Sequence, residues 1–454
     1  MPYQYLRAFH LGDAAIVSKR RRRVLANHQP VHETGRLTAH GVREAGRGRN
    51  GPREPLVDYH RDRMNILAVT KFPPIQGGES SSAFFLFDEL GKRQHTITVL
   101  TNCDDVPQNN KAVFTRDDLD TLTANTNVNI VGVMADSVPD FIPQYDPKTE
   151  KLLNEGIKLI SEQQFDLIYG WYLLPYVSAA YLLSQIFSIP FVMQHAGSDL
   201  TRLYPRATLN QYFQNIIEAS AGIMTYSLTA SYFSTKTPES VLCQRQGFPS
   251  IFNPHGSQVD FPKEFDIDCD LNSTFLCLGK FSLAKGFYQI IEAFRVLENT
   301  TLIVFCPNKR SICVDLPKNV FLLDAVAPWR VPAILRSVKA LIVPEWNFGV
   351  AIHRSSLPIE SILCGTVALV SSQIIGNYPG LQQFMVGIDT PRLEDTVSKI
   401  RDVARNDVIN EPVRRRYREI RSKLPSFSEY VSETEVFLEN RIRADRAARP
   451  SRGV

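Results

Sequence analysis

One repeating pattern constrains this chain more than any other feature: short, almost uninterrupted apolar runs alternate with longer segments of helical period. The first series comprises MNILAVTKF (64–72), HTITVLT (95–101), NVNIVGV (127–133), FDLIYGW (165–171), IPFVMQH (189–195) and AGIMTYS (221–227). Helix-like stretches such as AFFLFDELGKR (83–93), KLLNEGIKLISEQ (151–163) and LPYVSAAYLLSQIF (174–187) lie between them. A strand that is apolar on both faces has to be covered on both, which calls for a parallel sheet with helices above and below. A polar, acidic break, FPKEFDIDCDLNS (261–273), ends this series. A second one then runs through TFLCLGK (274–280), TTLIVFC (300–306), NVFLLDA (319–325), KALIVPE (339–345) and TVALVSS (366–372). The expected fold is α/β, with two doubly wound halves facing each other across a cleft. Open sheets of this kind bind ligands at their carboxyl edges.

The length of 454 residues fits two cores rather than one. Charge is unevenly spread. Residues 1–63 carry thirteen basic and six acidic residues, a balance of +7, together with five of the nine histidines. This segment, with KRRRR at 19–23, has too little apolar material to offset its conformational entropy, and disorder is expected over 1–63. The remainder has a balance of −3 and offers no basic field for nucleic acid. Seven scattered cysteines without CxxC spacing read as reduced thiols of a cytoplasmic protein, neither a disulfide framework nor a zinc site. No apolar run approaches the ~20 residues that cross a bilayer, which leaves peripheral membrane contact open. A helical, charged region closes the chain, and a C-terminal helix with a basic tail is expected over 426–454.

The chemistry concentrates in LGKFSLAKGF (278–287), which follows an apolar strand and precedes the amphipathic YQIIEAFRVL (288–297). A tight turn at Gly279, two lysines and a helix start place backbone N–H groups, the positive end of a helix dipole and the charges of Lys280 and Lys285 together. That combination suits a diphosphate. The spacing is not that of a Walker A loop, and no GxGxxG follows a strand, which argues against a dinucleotide oxidoreductase. A solvated helix start with incidental lysines accounts for this segment alone equally well.

Read with the rest of the chain, Gly-Lys-Phe-x-x-x-Lys-Gly resembles the G-R-[LF]-x-x-x-K-G motif of family 4 retaining glycosyltransferases. Three further stretches follow in the order that family has them. PPIQGG (73–78) is similar to its PPxxGG loop, QHAGSDL (194–200) to its HGxD segment, and LPIESILCGTVALVSS (357–372) to its LE-A-M-A-x-G-x-P-V-V-A-S segment. The resemblance covers roughly residues 64–440. It implies a GT-B fold, with an acceptor-side Rossmann-like domain over 64–264 and a donor-side one over 265–425.

By the same resemblance, Lys280 and Lys285 grip the diphosphate and His195 contacts the transferred sugar. Gly77, Gly78, Asp199, Gly279, Glu345 and Glu360 belong to the donor site, with Glu360 on the ribose hydroxyls. Lys280 stands where the family has arginine, keeping the charge but not the bidentate fork. The family's earlier glutamate, eight positions before Glu360, is here Ile352, so either Glu345 or His353 with Arg354 takes its place. No cofactor or metal is implied, and DIDCD (266–270) reads as a solvated linker rather than a metal-binding DxD. The partners implied are a nucleotide diphosphate sugar and a glycan, lipid or small-molecule acceptor, in glycan biosynthesis. An epimerase or phosphorylase on this fold, or a non-catalytic nucleotide-sugar-binding homologue, would share these residues.

Overall fold

The computed structural model describes residues 63–133, 147–346 and 355–448. The expected extension over 1–63, except Arg63, and the segment holding Ile352, His353 and Arg354 lie outside the described residues. Among the described residues, thirteen strands form two sheets. The first contains β1 (Asn65–Val69), β2 (Thr96–Thr101), β3 (Val128–Gly132), β4 (Leu167–Trp171), β5 (Phe191–Gln194), β6 (Gly222–Thr225) and β7 (Val241–Cys243), in the order β3-β2-β1-β4-β5-β6-β7. The second contains β8 (Thr274–Leu278), β9 (Thr301–Phe305), β10 (Val320–Leu323), β11 (Ala340–Val343), β12 (Val367–Ser371) and β13 (Met385–Ile388), in the order β10-β9-β8-β11-β12-β13.

Every pairing is parallel. The period of two along β1 explains the apolar runs: Ile66 and Ala68 enter one core, while Leu67 and Val69 enter the core on the opposite face. The strand order reverses between β1 and β4 in one sheet and between β8 and β11 in the other. Those are the positions where a doubly wound sheet opens a crevice. β7 and β13 carry no signal in the sequence reading. At three and four residues they are edge strands, too short for a pattern to declare itself.

The chain crosses between lobes earlier than residue 265, where the acidic break suggested it. Phe248, Phe252, Val259 and Phe261 already pack in the core of the second lobe. It then returns: the helix Phe427–Ala448 buries Tyr430, Val431, Phe437, Leu438 and Ile442 against β1 and β4 of the first lobe. Buried Glu435 fixes it, accepting from Arg93 Nη1 at 2.8 Å and pairing with His95 Nε2 at 2.9 Å. The outgoing and returning segments lie side by side. Phe248 forms an isolated bridge with Ser426, Arg421 Nη2 donates to the Phe248 carbonyl at 2.9 Å, and Gln244 Nε2 donates to Thr434 Oγ1 at 2.9 Å.

Candidate functional site

On the second lobe, β8 ends at Leu278 and Gly279 turns the chain with φ +125°. Gly286, at φ +70°, then caps the helix Phe287–Arg295. A Cβ at Gly286 would sit 2.2 Å from the Pro344 carbonyl oxygen, so only glycine lets this turn lie against the exit of β11. That approach joins two of the expected residues: Lys285 Nζ donates to Glu345 Oε1 in an ion pair, and Glu345 is 2% exposed. Leu278, Phe287, Val343 and Leu357 surround this pair. Glu360 occupies the first turn of the helix Leu357–Leu363. Burial raises its carboxyl to about 7, opposed by a hydrogen bond from Ser356.

On the first lobe, the PPIQGG loop leaves β1 and is held by Gln76 N–H donating to the Asn110 carbonyl at 2.9 Å. Gly77 has φ +142°, and a Cβ there would lie 2.7 Å from Lys71 Nζ. A Cβ at Gly78 would lie 3.9 Å from Ser356 Oγ, so the loop reaches the start of the Glu360 helix on the other lobe. Lys280 crosses in the opposite direction, its Nζ donating to Asn110 Oδ1 at 3.0 Å. Gly77, Gly78, Gly279, Lys280, Lys285, Glu345 and Glu360 therefore line the facing edges of the two lobes.

His195 and Asp199 are placed differently, and both are fully buried. Gly197 N–H donates to His195 Nδ1 at 3.0 Å, so Nε2 carries the ring proton and faces Thr225 Oγ1 at 2.7 Å and Thr229 Oγ1 at 3.2 Å. Burial lowers the imidazole to about 3, which keeps it neutral. Both ring nitrogens are thus engaged inside the protein. Asp199 accepts from the backbone N–H groups of Leu173, Ala196 and Leu200 at 3.0, 3.1 and 3.0 Å. Burial raises its carboxyl to about 6 against the pull of those amides. The pair braces the turns after β4 and β5. Trp171, at the end of β4, is 2% exposed and packs in the core with Tyr169.

Two cleft residues escaped the sequence reading, Lys71 and Glu79, which flank the PPIQGG loop. Burial lowers Lys71, with Glu79 opposing and Lys280 reinforcing the shift. Burial raises Glu79 to about 8, with Lys71 opposing and Asp199 adding to it. Glu79 Oε1 is enclosed without a hydrogen-bond partner. Neither residue type nor spacing marks them, since their character comes from burial.

Among the described residues, no group of three or more His, Cys, Asp and Glu side chains is placed to hold a metal ion, and no helix is long and apolar enough to cross a membrane. Asp270 of DIDCD caps a short turn through Asn272 N–H at 3.0 Å.

Two parallel-sheet lobes with a site shared by their carboxyl edges define the GT-B class of fold. Solved structures share it. The sucrose-phosphate synthase of Thermosynechococcus elongatus superposes with a TM-score of 0.61 at 13% identity, over 84% of this chain and 100% of its own. Anabaena HepE in complex with UDP and glucose superposes with a TM-score of 0.56 at 14% identity, over 85% and 100%. A Listeria monocytogenes protein proposed to be a UDP-N-acetylglucosamine 2-epimerase gives 0.52 at 11%, over 87% and 100%. By sequence, the chain matches no protein-family profile and no curated protein.

Proposed function

We propose that the protein is a retaining glycosyltransferase that moves a sugar from a nucleoside diphosphate donor to a hydroxyl-bearing acceptor. The observation that carries this reading is the position of Lys285. It lies at the β8/β11 switch point, paired with buried Glu345 beside Leu278, Val343 and Leu357. HepE, which shares the fold, is seen with UDP and glucose.

In this reading the diphosphate lies against the N-terminus of the Phe287–Arg295 helix, and Lys285 and Lys280 neutralise the charge that grows as it leaves. Stabilisation of a leaving group by fixed charges and amides needs no enzyme nucleophile. Glu345 aims the Lys285 ammonium through their ion pair. Glu360 meets the ribose hydroxyls, and a carboxyl that titrates near 7 can either donate or accept there. Gly77 and Gly78 let backbone approach the phosphates or the transferred sugar. His195 and Asp199 take positioning roles behind the cleft. Retention follows from the motif resemblance and corresponds to front-face attack assisted by the departing phosphate.

Thermal unfolding with a panel of nucleoside diphosphates and their sugars tests this. A matching donor at 100 times its Kd should add about 2.7 kcal/mol of stability to the wild type. Lys285→Ala should weaken donor binding by about 1.5–3 kcal/mol through loss of a charge-assisted contact. Equal stabilisation of wild type and variant, or none in either, would remove the assignment. The Listeria neighbour favours one second reading, nucleotide-sugar epimerisation. Conversion of the donor without any acceptor would establish it.

A further inference from the structure

We infer that Lys71, from the first lobe, is a third cationic ligand of the donor diphosphate, so that the anion is gripped from both sides of the cleft. This rests on the donor site proposed above. Lys71 and Lys280 belong to opposite lobes, yet the charge of Lys280 reaches Lys71. Among the described residues no carboxylate makes a salt bridge to either; Lys280 Nζ is held by the neutral amide of Asn110. Like charges brought together in a partly buried place raise each other's cost, and an anion between them removes it.

The glycine pair gives the second observation. A Cβ at Gly77 would sit 2.7 Å from Lys71 Nζ, so any other residue there would push the ammonium aside or roof it over. Glycine at 77 thus keeps Lys71 open to the edge where Gly78 faces Ser356. Glu79 lies beside Lys71 with one oxygen enclosed and unpartnered, and burial raises its carboxyl to about 8, so at neutral pH it is not a standing counter-charge. Among the described residues, no close ion pair takes up the Lys71 ammonium.

Calorimetric titration of the full chain with UDP, with GDP and ADP as parallel titrants and the unphosphorylated nucleosides as controls, decides the matter. Lys71→Met, similar in length but uncharged, should weaken diphosphate binding about tenfold or more and leave nucleoside binding unchanged. Lys71→Arg should retain more affinity than Lys71→Met. If Lys71→Met does not fold, Lys71→Gln carries the same expectation. Unchanged diphosphate affinity in Lys71→Met, with Lys285→Ala impaired, would overturn the third ligand and leave the proposed function standing. A parallel loss for nucleoside and diphosphate would overturn it too, by showing a structural effect only. Failure of every diphosphate to bind the wild type would overturn both.

Discussion

At the scale of single residues, the cleft separates groups that meet the ligand from groups that hold the walls. His195 illustrates the second kind. Its folded-state pKa of about 3 lies below the ~6.5 of an exposed imidazole, so acid favours the unfolded chain, which takes up the proton first. Its contribution to stability is complete above pH 6.5 and declines as pH falls toward 3, by about 1.4 kcal/mol per unit. The raised carboxyls of Asp199 and Glu360 act in the opposite sense, since a native state that holds protons more tightly is favoured by acid. Urea unfolding of wild type and His195→Asn isolates the histidine: the advantage of wild type at pH 7 should shrink steadily at pH 5.5 and 4.5. A constant difference would mean that the ring is solvated in the native state. Motif spacing singles out Lys285 and the glycines, whereas Glu345 falls outside that spacing and stands as one of two alternatives. Lys71 and Glu79 were not legible, because KFPP and GES look like ordinary loop chemistry until tertiary burial shifts them.

Among the elements, the long buried strands could be read from their unbroken apolar runs, whereas β7 and β13 could not. The lobe crossing was misplaced for a related reason. The acidic stretch at 261–273 is the strongest local break, but Phe248 and Phe252 are already committed to the second core by contacts far off in sequence. The turn between β8 and the Phe287–Arg295 helix is the most tightly determined element of the site. Gly286→Ala sets a methyl against the Pro344 carbonyl in a left-handed backbone, at an expected cost of about 2–4 kcal/mol. Chemical denaturation should show that loss. Diphosphate affinity should fall with it, because Lys285 moves away from Glu345. A variant with wild-type stability would show that the loop relaxes freely.

Across the whole molecule, side chains of one lobe rest on the other. Trp329 of the second lobe packs tilted against Phe84 at 4.7 Å between centroids, and its Nε1 donates to Asp118 Oδ1 at 2.9 Å. Val113 N–H donates to the Ala325 carbonyl at 2.8 Å. A half-buried aromatic anchor of this kind is worth about 1–2 kcal/mol at an interface. Trp329→Ala should therefore open the ligand-free protein, seen as a larger radius of gyration in solution scattering, while circular dichroism stays unchanged. An unaltered radius would mean that the remaining contacts suffice to hold the lobes together.

The neighbouring segments that join Phe248 to Ser426 have one more consequence. A single covalent thread would let the halves swivel freely, but two threads bonded to each other behave as a strap. Arg421 ties the two threads together beside the second core and Gln244 ties them beside the first, so the crossing acts as one joint rather than two.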